Sequence, residues 1–146
     1  GNTGTVEDIS LRTTRVRQAS GTLHVIPNGQ ISSVANLTRD WARVRVHVGV
    51  GYHSDLREVE RIANDIGTTL LAEKAWAEVL EEAPAFVGVT QLGDSAVVVR
   101  VQARVTPGDQ WSVERELNRR ILEAFGKADI EIPFPQRVVW HHNQQY

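Results

Sequence analysis

The sequence contains no cysteine and no methionine, and aromatic side chains make up only 6% of its 146 residues. Without thiols there is no disulfide framework, no thiolate zinc site and no cysteine nucleophile. Stability must come from packing within the chain or against neighbouring chains. Long hydrophobic runs are missing too: stretches such as Ala96 to Val99 fall far short of the ~20 residues that a membrane-crossing helix needs. As given, the chain reads as soluble and without a signal peptide, and Gly1 is expected to be a processed end or the start of a piece of something longer.

Motifs for chemistry are equally scarce. There is no Gly-x-Gly-x-x-Gly, no Walker loop and no His-Glu-x-x-His, so nucleotide, dinucleotide and zinc-hydrolase readings have no local support. The carboxylates Glu81, Glu82, Glu114 and Glu116 fall among charged helical neighbours, where a solvated face is the ordinary reading. Ser32, Ser33 and Ser95 lack the Gly-x-Ser-x-Gly frame that exposes a nucleophile. His141 and His142 are adjacent, and neighbours on a strand point to opposite faces, which makes them poor joint chelators. No catalytic residue, metal ligand or cofactor is expected.

What is present is a 41% apolar composition with a formal net charge of -2, enough to build one ordinary domain or two small ones. The charge is unevenly placed. Residues 1–53 carry Arg12, Arg15, Arg17, Arg39, Arg43 and Arg45 against Glu7, Asp8 and Asp40, whereas the remainder has five more carboxylates than Lys plus Arg. A basic segment of this kind either faces something anionic, such as a phospholipid surface or nucleic acid, or is simply solvated.

Along the chain, Thr5–Arg12, Arg15–Arg17, Leu23–Ile26 and Ile31–Leu37 read as short strands, punctuated by Ala19-Ser20-Gly21 and Pro27-Asn28-Gly29. An all-β unit of this size is marginal alone, so partners are expected. From Val44 the valines 44, 46, 48 and 50 alternate with Arg45, His47 and Gly49, the period of a strand with one buried face. Ser54 or Asp55 then opens a helix whose apolar face is Leu56, Val59, Ile62, Ala63, Ile66 and Leu70. A shorter helix at Ala75–Leu80, strands at Phe86–Leu92 and Ala96–Val105, and a helix carrying Val113, Leu117, Ile121, Leu122 and Phe125 follow, with Gly126 as its stop. Ile130 and Ile132 suggest a last strand. The order β-α-β-β-α-β is that of a ferredoxin-like fold. Trp41, Trp76, Trp111 and Trp140 are expected in core or interface positions.

Three stretches carry a resemblance: Gly4-x-Val6-x-x-Ile9-x-Leu11-Arg12-x-Thr14; Val25-Ile26-Pro27-Asn28 with Asn36; and Ile130-Glu131-Ile132-Pro133-Phe134-Pro135-Gln136-Arg137. Tyr52-x-x-Asp55 and Leu92-x-Asp94-Ser95 fit between them. In this order they resemble the cytoplasmic region of small-conductance mechanosensitive channels, over nearly the whole chain. The resemblance implies an α+β architecture: a small Sm-like β domain at residues 1–43, expected to lack its first strand, a ferredoxin-like domain at 44–135, and a tail at 136–146 in which Val138–His142 would form a barrel strand. It marks Pro27, Asn28, Asn36, Pro133, Phe134, Pro135 and Gln136 as structural positions. It also implies a homoheptamer in the cell's inner membrane with this region on the cytoplasmic side, ions and small osmolytes as what passes, and membrane helices and a pore that precede Gly1. Ala19-Ser20-Gly21 departs from the family, which often has an acidic residue before the glycine of that hairpin.

Two other readings compete. A soluble RNA-binding module would use Arg12, Arg15 and Arg17 on phosphate, but the net acidity and the absence of stacking aromatics on Val97–Val105 oppose it. A ferredoxin-like enzyme or ligand sensor would need a saturable small molecule.

Overall fold

The structure is a computed structural model that describes residues 3–37 and 39–139. It divides into two compact units, one ending at Asn36 and the other starting at Leu37.

The first unit is a three-stranded antiparallel sheet of order β1-β2-β3, with β1 at Thr5–Ile9, β2 at Thr13–Arg17 and β3 at Leu23–Pro27. Central β2 alternates in burial, with Thr14 and Val16 inward and Arg15 and Arg17 outward. The turn from β2 to β3 needs a left-handed residue, and Gly21 supplies it at φ 88. Gly4 is required for another reason: a Cβ there would lie 2.3 Å from the Arg17 carbonyl oxygen. The fourth strand expected at Ile31–Leu37 does not form. Pro27 ends β3, residues Asn28–Gln30 make a single 3-10 turn, and residues 31–36 run on without ladder pairing. The strand expected at Thr5–Arg12 is likewise shorter, because Ser10 Oγ donates to the Thr13 carbonyl at 2.9 Å and folds the chain back.

The second unit holds the main core. β4 (Ala42–Val50), β5 (Ala85–Leu92) and β6 (Val97–Val105) form an antiparallel sheet of order β4-β6-β5. Two long helices, α1 (Leu56–Ala72) and α3 (Gln110–Lys127), contribute Val59, Ile62, Ala63, Leu70, Val113, Leu117, Ile121 and Phe125 to one cluster with the inward valines of β4 and β6. Asp55 caps α1 by accepting a 2.9 Å hydrogen bond from the Arg57 N–H. The intervening α2 (Lys74–Ala77) is shorter than expected because residues 79–81 leave the helix to pair along β6: Thr106 N–H donates to the Val79 carbonyl and Glu81 N–H to the Arg104 carbonyl.

Two further expectations change. α3 does not stop at Gly126 but runs to Lys127, and the left-handed residue after it is Asp129, at φ 57; aspartate tolerates that conformation better than most side chains. The closing strand at Ile130 and Ile132 is not formed. The segment lies beside the end of β4, where Gly51 N–H donates to the Glu131 carbonyl at 3.0 Å. Pro133 and Pro135 then remove the two donors that would have extended a ladder. The architecture is α+β, a small β domain followed by a ferredoxin-like domain whose last strand is reduced to that one contact.

Helix α1 passes so close to the loop before β5 that a Cβ on Gly67 would sit 1.8 Å from the Pro84 carbonyl oxygen. Replacing a mid-helix glycine by alanine normally stabilises by up to ~1 kcal/mol, but displacing packed backbone costs about 1–3 kcal/mol. Gly67→Ala is therefore expected to lower stability, read as a reduced urea midpoint; an unchanged or raised midpoint would contradict the close approach.

Candidate functional site

Among the described residues no group of three or more His, Asp or Glu side chains is placed to hold a metal. The positions singled out from sequence instead do structural work. Asn28 ties three segments of the β unit: its N–H donates to the Arg12 carbonyl at 2.8 Å, its Nδ2 to the Ser10 carbonyl at 3.0 Å, and its Oδ1 accepts from the buried Thr14 hydroxyl at 2.8 Å. Pro27, just before it, ends β3. Asn36 lies at the end of the first unit. In the second unit Pro133 and Gln136 line an open cleft of about 340 Å³ with Gly51, Tyr52, Ser95 and Glu131. There the Gln136 N–H donates to Ser95 Oγ at 3.1 Å, and Tyr52 Oη to the Gly93 carbonyl at 2.5 Å. Phe134 is 84% exposed, and Pro135 is exposed beside it. The barrel strand expected at Val138–His142 is not formed at Val138 and Val139, and Trp140, His141 and His142 lie outside the described residues.

The basic first segment is divided between the two units. In the β unit Arg17 is paired with Glu7, through Nε and through a 3.2 Å bond from Nη2, which holds the Glu7 carboxyl below its ordinary range. Arg15 stands directly across the ladder from Asp8. Arg43 and Arg45 belong to β4 of the second unit and share the sheet surface turned away from the helices with His47 of the same strand and with Arg100, Gln102 and Arg104 of β6, in the register Arg43↔Arg104, Arg45↔Gln102 and His47↔Arg100. Trp41, expected in a core or interface, is 43% exposed, with the Arg104 and Arg43 guanidiniums 4.6 and 5.1 Å from its ring centroid. Trp76 packs on the core edge and Trp111 is exposed. Sequence reasoning missed the arginine face because it counted charges along the chain; the alternation of β4 with that of β6 would have placed them together.

Of the carboxylates set aside as non-catalytic, Glu114 and Glu116 lie on α3, whereas Glu81 and Glu82 follow α2 outside any helix because residues 79–81 pair along β6, and Glu81 pairs with Arg104 at 3.3 Å. Arg120 reaches across from α3 to Glu73 with two 2.7 Å bonds and holds Glu116 at 2.6 Å, and Arg119 adds two more bonds to Glu116.

Comparison with known proteins accounts for both units. A family model described as the mechanosensitive ion channel MscS C-terminal domain matches residues 44–132, and one for the mechanosensitive ion channel beta-domain matches residues 1–39. The chain belongs to the MscS family. It is 35% identical over 139 residues to a small-conductance mechanosensitive channel of Caldanaerobacter subterraneus, covering 95% of this chain and 48% of that protein. It is also 30% identical to the moderate conductance mechanosensitive channel YbiO of Escherichia coli, covering 90% of this chain and 18% of the other. Among solved structures, Helicobacter pylori MscS in its closed state superposes with a TM-score of 0.79 at 27% identity, covering 97% of this chain and 55% of that one. Arabidopsis thaliana MSL1, at 18% identity and a TM-score of 0.62, shares the fold. The chain thus spans about half the length or less of these relatives.

MscS-family channels are not enzymes, which agrees with the lack of catalytic motifs, and membership disfavours the RNA-binding alternative. Among the described residues no helix is long and apolar enough to cross a membrane.

In this MscS-family β domain the Thr14 hydroxyl is buried on Asn28, so Asn28→Ala leaves it unpaired at a cost of about 1–3 kcal/mol. Hydrogen exchange is expected to accelerate in β1–β3 while the amides of α1 and α3 keep their protection; uniform loss across both units would contradict the two-unit reading. Glu116 gives a pH signature. Its hydrogen bonds from Arg119, outweighing the cost of burial and aided by Arg120, hold its pKa at about 2 against an ordinary 4.5. A depressed carboxylate stabilises the fold above its unfolded pKa and loses that contribution as pH falls through its folded one. The stability advantage of the native chain over Glu116→Gln, on the order of 1–3 kcal/mol at neutral pH, should therefore shrink between about pH 4.5 and 2; a difference independent of pH would refute it.

Proposed function

We propose that this chain serves as the cytoplasmic vestibule of a mechanosensitive channel of the inner membrane, a homoheptamer that passes ions and small osmolytes under tension through a pore built by parts of the protein outside this sequence. In this reading the first unit, through Asn36, contributes the Sm-like β ring rather than residues 1–43, because Ala42 and Arg43 belong to β4; the second unit through residue 135 forms the wall of a hollow cage, and 136–146 a strand of a closing barrel. Pro27, Asn28 and Asn36 shape the first of these, and Pro133, Phe134, Pro135 and Gln136 lead the chain off the sheet towards the last. Anionic lipid contact by the β domain would fall to Arg12 and Arg15, since Arg17 is engaged by Glu7.

The observation that carries the proposal is the match of both family domains, in order, across nearly the whole chain. Physical chemistry supports the assembly. The β unit buries only Val16 among its large apolar residues, while Leu11 is 95% and Val34 77% exposed, with Val6, Ile9 and Val25 also open. A sheet this poorly covered gains most of its burial from neighbours.

An antibody raised against this chain should detect, in cells that make the native protein, a membrane-bound species clearly heavier than the 16.3 kDa of this sequence, and gentle solubilisation should yield a particle about seven subunits in mass. A soluble species of 16.3 kDa would overturn the proposal.

A further inference from the structure

The sheet surface turned away from the helices differs in charge from the rest of the second unit. On the helices Arg61, Arg119 and Arg120 are each held by carboxylates at 2.5–2.7 Å, while Arg57 and Arg115 stand singly without an ion pair among the described residues. On the sheet, none of Arg43, Arg45 and Arg100 has a carboxylate partner among the described residues, and Arg104 has only Glu81, at 3.3 Å. Arg100 donates instead to His47 Nε2 at 3.1 Å, so an imidazole occupies the place an anion would take. The Arg104 Nε is buried and has no hydrogen-bond partner among the described residues. Like charges directly across a ladder are destabilising, yet Arg43 faces Arg104, and both guanidiniums lie near the Trp41 ring, at 5.1 and 4.6 Å from its centroid. Nothing in the packing of the sheet requires four arginines here. The valines that hold it point the other way.

Spacing suggests what would satisfy them. Residues two apart on a strand project ~7 Å apart on one face, and diagonal neighbours across a ladder lie at about 7–8 Å, so Arg45 and Arg100 present neighbouring guanidinium forks, with Arg43 a further ~7 Å along β4. A monovalent ion meets one fork at a time. A small anion with several phosphate groups meets two or three, with the planar bidentate geometry that arginine offers to phosphate. We infer that the open face of β4 and β6, centred on Arg45, His47 and Arg100, is a binding site for soluble multivalent phosphate anions, of the polyphosphate or nucleoside polyphosphate class. The site lies within one unit and does not depend on the channel reading: the chain would bind such an anion whatever its assembly.

The test uses the full chain at neutral pH and sodium tripolyphosphate as probe, followed by calorimetry and by amide and indole NMR shifts. Saturable binding is expected, with shifts confined to residues 43–47, 98–104 and the Trp41 indole, and with affinity falling as KCl is raised. Arg45→Gln and Arg100→Gln should each weaken it about tenfold, the scale of one charge-assisted hydrogen-bonded contact. Arg45→Lys should weaken it less, and Arg61→Gln on α1 should leave it unchanged. Arg45 and Arg100 are unpaired with carboxylates among the described residues and Arg61 makes only surface ion pairs, so the variants should melt close to the parent, which far-UV circular dichroism checks. Absence of saturation, undiminished binding in the Arg45→Gln/Arg100→Gln double variant, or equal loss in Arg61→Gln would overturn the inference. So would capture by phosphatidylglycerol vesicles that tripolyphosphate does not compete away, since that result assigns the face to a lipid surface.

Discussion

The register of β4 against β6 is the constraint from which the rest of the second unit follows. The two nine-residue strands pair residue for residue from Ala42↔Val105 to Val50↔Val97. Because side chains alternate, this pairing sends Val44, Val46 and Val48 to one face together with Val99, Val101 and Ala103, and leaves Arg43, Arg45 and His47 with Arg100 and Arg104 on the other. A slip of one residue would bury arginines under the helices and expose the valines, an exchange too costly to be populated. The core and the charged face are therefore one decision, taken twice along the chain by the same alternation. Helices α1 and α3 fit because their apolar stripes meet a surface of small branched side chains, and Gly67 lets α1 approach the backbone at Pro84.

The β unit is organised differently. With Thr14 and Val16 as its buried residues, it has too little apolar contact to set its strand positions by burial, and polar pins take over. Asn28 joins the β1–β2 loop, β2 and the end of β3 through three hydrogen bonds, and Arg17 holds both Glu7 and the Gly21 carbonyl. Such bonds contribute about 1 kcal/mol each in net terms. They fix shape more effectively than they stabilise it, which suits a small sheet whose apolar surface is left open for other contacts.

These two regimes explain which elements were legible in the sequence. The long strands and helices of the second unit carry strong periodicity, and their extents and inward residues could be read from Val44–Val50, Val97–Val105 and the stripe through Val113, Leu117 and Ile121. Where order depends on hydrogen bonds rather than burial, the reading failed. Ile31–Leu37 has the apolar content of a strand, but the 3-10 turn at Asn28–Gln30 leads it away from any ladder partner. Ile130 and Ile132 also look like strand, and only the prolines that follow show why pairing stops after a single bond to Gly51. Gly126 looked like a helix stop because glycine usually takes the left-handed conformation; here Asp129 does so instead, which no local rule would have selected. Among the positions marked by family resemblance, Asn28 has a role that spacing alone could not reveal, since its partners lie 14 and 18 residues away.

A formal net charge of -2 describes this molecule poorly. A carboxylate and a guanidinium locked together in two or three short hydrogen bonds produce little field beyond a few ångströms, and at physiological salt even unpaired charges are screened over about 8 Å. What a passing solute meets is the uncompensated remainder of whichever surface is nearest. On the helices, Glu58, Asp65, Glu73, Glu116 and Glu123 are engaged by three arginines. On the sheet, Arg43, Arg45 and Arg100 meet no carboxylate among the described residues. A chain with more acidic than basic residues thus presents a positive face about as broad as two strands, and the sign of its interaction with a charged solute depends on which side of one sheet that solute approaches.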